Sequence, residues 1–189
     1  MILHVLLIGA LVGVVVGSLG AGGGIVSVPI LVYVLGQDPH QATGLSLIIV
    51  GLTAAVSLAT RARSGNVAWR EGTIFALAGL AGTWAGATLT GFLTGFFGVG
   101  GGFAIVPALH LALRYPMKRA SATSLLVMVI TAAFGLASRT LSGTLTITAE
   151  AGAMVALFTA ASMGGGIVGA RFTKRVSNRV LGLVFAALL

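Results

Sequence analysis

Residues 13–29 read GVVVGSLGAGGGIVSVP, and residues 91–107 read GFLTGFFGVGGGFAIVP. The two stretches decide the fold class. Each is apolar enough to lie in a bilayer. Each is also broken by a run of glycines and then by Pro29 or Pro107, which interrupt a helix. Shifting the chain by 78 residues superposes them. Gly13, Gly17, Gly20, Gly22, Gly23, Gly24 and Pro29 fall on Gly91, Gly95, Gly98, Gly100, Gly101, Gly102 and Pro107. The register then continues without a gap: Ala42 on Ala120, Ser46 on Ser124, Thr53 on Thr131, Arg61 on Arg139 and Ser64-Gly65 on Ser142-Gly143. Between 13–65 and 91–143 there are 21 identities in 53 positions. Low complexity inflates Gly and Ala matches, but not Pro, Ser and Arg matches in one register. The chain therefore divides into two homologous units, 1–89 and 90–189.

The rest of the sequence says what solvent these units live in. Of 189 residues, 57% are hydrophobic and 7% charged, against about 25% charged in a soluble domain. A core of lipid about 30 Å thick takes about 20 apolar helical residues to cross. Runs at 41–60, 120–138 and 149–170 have that length. The runs 2–36 and 72–113 are too long for one straight helix, and the last run, 180–189, is too short to span. The expected fold is an all-α integral membrane protein, each unit a Gly-broken helix followed by two spans.

A net charge of +8 raises nucleic acid as a partner. The basic residues argue against it, because they sit in short gaps between apolar runs without interleaved aromatics. They read instead as topology signals. Segments 61–71, 114–119 and 171–179 are basic and belong inside, while 36–40 and 139–150 belong outside. That order places the N-terminus inside, gives each broken segment one net crossing and inverts the two units. A re-entrant hairpin with no net crossing is the alternative for each Gly-rich segment. The first ten residues have no basic start, so they read as a retained span.

The paired pattern Gly-x3-Gly-x2-Gly-x-Gly-Gly-Gly-x4-Pro resembles the duplicated signature of the TauE/SafE sulfite-exporter family. Ala120-Ser121-Ala122-Thr123-Ser124-Leu125 is similar to the small-residue and Thr-Ser-Leu motif that follows it. The first copy, Ala42-Thr43-Gly44-Leu45-Ser46-Leu47, has Leu where Thr is usual. The resemblance covers nearly the whole chain. It implies a bacterial-type inner-membrane carrier moving sulfite, a sulfonate or a related organosulfur anion. It also implies a four-plus-four helix plan. Here residue 89 runs directly into the second Gly-rich segment, so the fourth helix of the first unit is missing from the pattern.

The residues suggest where an anion would sit. A helix break inside a membrane frees backbone N–H groups and needs the shelter of protein or a water-filled cavity. A half-helix beginning near Ile25 or Phe103 would aim its positive end at the midplane. Gly22, Gly23, Gly24, Gly100, Gly101 and Gly102 are the backbone donors of this reading. Ser46, Thr123 and Ser124 add hydroxyls, which could equally bond a carbonyl one turn back. Gly13, Gly17, Gly91 and Gly95 fit close helix packing better than ligand contact. Arg61 and Arg139, at span ends, are candidates for gating or steering, with snorkelling to the interface as the alternative.

Other chemistry has no support. There is no cysteine, and His4, His40 and His110 are not at metal-ligand spacing. Asp38, Glu71 and Glu150 form no acid/base pair, and no nucleotide-binding glycine motif is present. The expected protein is thus a non-enzymatic secondary transporter without cofactor. Its partners are the lipid bilayer and a small anion, with a homo-oligomer left open. A non-transporting membrane subunit or assembly factor, or a carrier of a different small solute, are the alternatives.

Overall fold

The computed structural model describes residues 2–20, 23–34, 36–62, 64–85, 105–107, 109–110, 114–143 and 149–188. Everything described is helix or short connection. The helices are α1 (Ile2–Leu19), α2 (Gly23–Pro29), α3 (Pro39–Ala62), α4 (Trp69–Ala85), α5 (Met117–Leu141), α6 (Ala149–Arg175) and α7 (Asn178–Leu188). A wider π turn, Ile30–Val34, continues α2. It begins directly after Pro29, whose missing N–H removes the normal helical bond.

Three helical stretches are long and apolar enough to cross a membrane among the described residues: Pro39–Ala62, Met117–Leu141 and Gly152–Thr173. They coincide with the runs expected at 41–60, 120–138 and 149–170. Their ends are set by local chemistry. Asp38 caps α3, its carboxylate accepting the His40 N–H at 3.0 Å, and Pro39 fills the first turn, where no N–H is needed. Gly143, with φ +64°, follows the end of α5. α1 ends at Gly20, with φ +65°, whose N–H bonds the Val16 carbonyl at 2.9 Å. That left-handed residue is the usual glycine stop of a helix, and it is the break the sequence announced.

Contacts between helices fix their directions. Along α1 and α6 the touching residues rise together: a Cβ on Gly13 would overlap the Ser162 carbonyl, and one on Gly17 the Gly166 carbonyl. In return, Gly165 meets Ala10 and Gly169 meets Val14. The Ser162 hydroxyl donates to the Gly9 carbonyl at 2.9 Å. α1 and α6 are therefore parallel, their backbones brought together by glycine, as small-residue packing predicts for Gly13 and Gly17. Ser57 meets Gly166, and Arg61 meets Thr173, so α3 runs the same way. α5 opposes α3: Leu47 touches Gly135, Gly51 faces Ala132, and the ends join through Thr43–Arg139 and Arg61–Ser121.

This geometry corrects one expectation. The three basic segments do gather at one end: Arg61 meets Thr173, and the Lys118 N–H reaches the Asn178 side chain at 3.3 Å. But α1 starts at the opposite end, alongside the start of α3. The segment 2–36 makes no net crossing. The chain rises through α1, turns at Gly20 and returns through α2 and the π turn. Gly23 starts the return, packed between Val16 and Val50. Val50 lies in the middle of α3, so the turn sits deep in the apolar layer. Sequence could not decide this, because the direction taken after a break depends on which neighbours bury the returning piece. Here Leu31, fully buried, clusters with Leu45 and Ile49 of α3.

Candidate functional site: a buried arginine at the helix break

α1 stops inside the protein, so its last carbonyls have no helical partner. Arg61, near the end of α3, supplies one. Cβ atoms in a helix tilt toward its N-terminus, and the Arg61 side chain turns back into the protein. It is 3% exposed. One terminal nitrogen, Nη2, donates to the Gly17 carbonyl, to the Ser18 carbonyl at 2.9 Å and to the Thr173 hydroxyl at 2.8 Å. The other, Nη1, donates to the Ser121 hydroxyl at 2.9 Å. The hydroxyls of Ser121 and Thr173 in turn contact the Ser18 carbonyl, at 3.1 and 3.0 Å. Four helices thus meet at one guanidinium. Arg61 lies at the end of a span, as expected, but it turns inward, so the snorkelling alternative does not hold.

The electrostatics are unusual. Among the described residues every partner of Arg61 is neutral. The end of α1 carries roughly half a negative charge from its aligned peptide dipoles, which offsets about half of the guanidinium's. No described carboxylate completes the balance. A charge buried in an apolar layer costs several kcal/mol unless paired. The Arg61 Nε, also buried, has no partner among the described residues.

The other expected site residues have mixed fates. Ser124 is fully buried and donates to the Gly20 carbonyl at 2.7 Å or the Ser121 carbonyl at 2.9 Å, so it ties α5 to the break. Thr123, also buried, accepts the Ala68 N–H at 3.2 Å and holds the entry to α4. Ser46 bonds back to the Thr43 carbonyl at 2.8 Å. Gly23 and Gly24 open α2. Gly22, Gly100, Gly101 and Gly102 lie outside the described residues. Arg139 is half-buried and reaches the His40 carbonyl at 3.2 Å and the Thr43 hydroxyl at 2.9 Å. Structure therefore brings Arg61, Ser124 and the first break together, and leaves Arg139 at the far end of α3. Ser121, part of the motif around Ser124, was not among the expected site residues, and Thr173 and the glycine seam of α6 were not singled out. The small-residue spacing Gly165-x3-Gly169 was the available signal.

Helices interrupted within the membrane recur in carriers. Comparison with known proteins settles the family. The family model "Sulfite exporter TauE/SafE" matches residues 5–90 and again 86–189. The chain belongs to the TauE/SafE family. A "Probable membrane transporter protein" of Xylella fastidiosa strain 9a5c is 32% identical over 238 residues, covering 95% of this chain and 90% of that protein. The aligned length exceeds the chain, so the TauE/SafE relative has stretches with no counterpart here. A second protein of that name, from strain Temecula1, is 34% identical over 174 residues, covering 64% of this chain and 67% of its own. A probable membrane transporter protein of Methanocaldococcus jannaschii is 25% identical over 188 residues, covering 70% of each. No solved structure matches. TauE/SafE membership makes this a multi-pass membrane transporter rather than an enzyme.

Proposed function

We propose that this TauE/SafE chain is a secondary transporter of a small oxyanion, such as sulfite or a short sulfonate, in a bacterial-type inner membrane. The carrying observation is Arg61: a buried guanidinium whose partners are all neutral, set against the break in α1. An anion supplies the charge that no carboxylate does. The first turn of α2, with Gly23 and Gly24, offers backbone N–H groups, Gly23 at the level of Val50, and Gly22 completes the expected donor set. Gly100, Gly101 and Gly102 play the equivalent part in the second unit. Thr123 and Ser124 tie neighbouring elements together, and they and Ser46, now bonded to its own helix, lend hydroxyls when the site rearranges.

Two further points support an alternating-access mechanism. Ser121 and Thr43 are separated by the same 78 residues that separate Arg139 and Arg61. Each arginine bonds the hydroxyl belonging to the other copy. Such an exchange is what two inverted repeats related by a two-fold axis across α3 and α5 produce. The two pairs then act as opposite gates, one closing while the other opens. The test is sulfite and methanesulfonate flux in proteoliposomes. Arg61→Gln lowers flux by about 10- to 100-fold, the worth of a hydrogen bond to a charged group. Undiminished flux in that variant removes the proposal.

A further inference from the structure

Thr53, Ser57 and Arg61 stand four residues apart, so they share one face of α3. All three are buried, Thr53 and Ser57 completely. The Thr53 and Ser57 hydroxyls and the Arg61 Nε have no hydrogen-bond partner among the described residues. This is exceptional within the same helix. Thr43, Ser46 and Thr60 all donate back to carbonyls three residues earlier. It is also exceptional between the copies. Thr131, the counterpart of Thr53, bonds back to Val127 and Met128, and the counterpart of Ser57 is Gly135. A membrane hydroxyl satisfies itself most simply on its own backbone. Two neighbouring hydroxyls that do not are left with unused hydrogen-bonding capacity.

Their surroundings limit what can use it. Across the seam stands Gly166, where an added Cβ would come within 2.6 Å of the Ser57 Oγ and 3.2 Å of the Thr53 Cγ2. The two side chains therefore pack directly on the Gly166 backbone, with no room for a methyl between. The unpartnered polar groups on this face of α3 are one cationic N–H and two hydroxyls. They run from Arg61, at the basic end, to Thr53, one turn from the Val50 that packs on Gly23.

We infer that Thr53, Ser57 and the Arg61 Nε form a donor ladder along the α3–α6 seam, which passes a compact oxyanion between the basic end and the break at Gly23. This rests on the anion-transport reading and gives it a route. Each rung lies about 6 Å from the next, one four-residue step of helix, so the anion is handed from donor to donor as α6 moves away from α3.

The test combines two measurements on the intact chain: melting temperature without anion, and affinity from thermal-shift titration with sulfite and with methanesulfonate. Ser57→Ala and Thr53→Val should each weaken anion affinity about tenfold while leaving the anion-free melting temperature equal or higher, because an unpartnered buried hydroxyl is removed. Thr53→Ser should restore affinity, and Thr60→Val, which removes a self-bonded hydroxyl, should leave it unchanged. Wild-type affinity in both Ser57→Ala and Thr53→Val, or a lowered melting temperature with affinity intact, overturns the ladder and leaves the transport reading standing. Absence of any shift in the wild-type chain with either anion overturns both.

Discussion

The two ends of the α3–α5 pair are chemically matched and physically different. At the basic end Arg61 bonds Ser121, and at the other Arg139 bonds Thr43. Each pair joins an arginine to a hydroxyl, Ser121 or Thr43, drawn from equivalent positions of the two copies. Yet Arg61 is buried among α1, α5 and α6, while Arg139 reaches the first turn of α3 and stays half-exposed. The difference comes from α1 and α6, which close over the first pair. A repeated sequence supplies equivalent contacts, and what packs around them decides their energetic weight.

Removing each arginine is the strongest way to break that comparison. Arg61→Leu strips the Gly17 carbonyl of a buried donor and frees two hydroxyls, costing about 2–4 kcal/mol by the usual penalty for unsatisfied buried groups. Arg139→Leu loses a partly solvated contact and costs under about 1 kcal/mol. Denaturant unfolding in detergent measures both. Equal losses would mean that enclosure by α1 and α6 does not set the weight of the pair.

The enclosure itself can be disturbed. Gly17→Ala places a methyl on the Gly166 carbonyl, a backbone atom that cannot rotate away. It should cost about 1–3 kcal/mol and loosen Arg61 with it. Gly164→Ala, on α6 near Gly166 but with nothing within 4 Å, should be neutral or gain up to about 1 kcal/mol from helix propensity. Melting temperatures of the two variants should therefore move in opposite directions.

Much of this was legible in the sequence. Apolar run length located α3, α5 and α6, and the 78-residue register linked Arg61 to Arg139 before any contact was known. The break at Gly20 was legible as well, because consecutive glycines and a proline leave few helical options. The return of α2 alongside α3 was not, since reversing a chain and continuing it use the same glycines. Nor was the burial of Arg61. A cation two residues from the end of a span reads as an interface residue, and only the stop of α1 inside the protein gives it carbonyls to hold. Thr53 and Ser57 were invisible for a similar reason: a hydroxyl in an apolar run shows no sign of whether it bonds its own helix.

The finest discrimination lies in the coupling within each pair. Double-mutant cycles on Arg61 with Ser121, and on Arg139 with Thr43, each remove a guanidinium and a hydroxyl and differ chiefly in surroundings. Hydrogen bonds inside membrane proteins average about 0.6 kcal/mol and reach about 1.7. Ser121 accepts from Arg61 while its own hydroxyl contacts the Ser18 carbonyl, so its loss disturbs a connected network. Its coupling should lie near the upper figure, about 1.5 kcal/mol. Thr43 also accepts from its arginine, but its hydroxyl turns back to His40 of its own helix, at 2.8 Å and exposed. Water can replace that arrangement, so the second coupling should be about 0.5 kcal/mol or less. If sulfite binding raises the second coupling and lowers the first, the two pairs exchange strength as opposite gates must. If neither coupling responds, the arginines are fixed struts and the moving parts lie elsewhere.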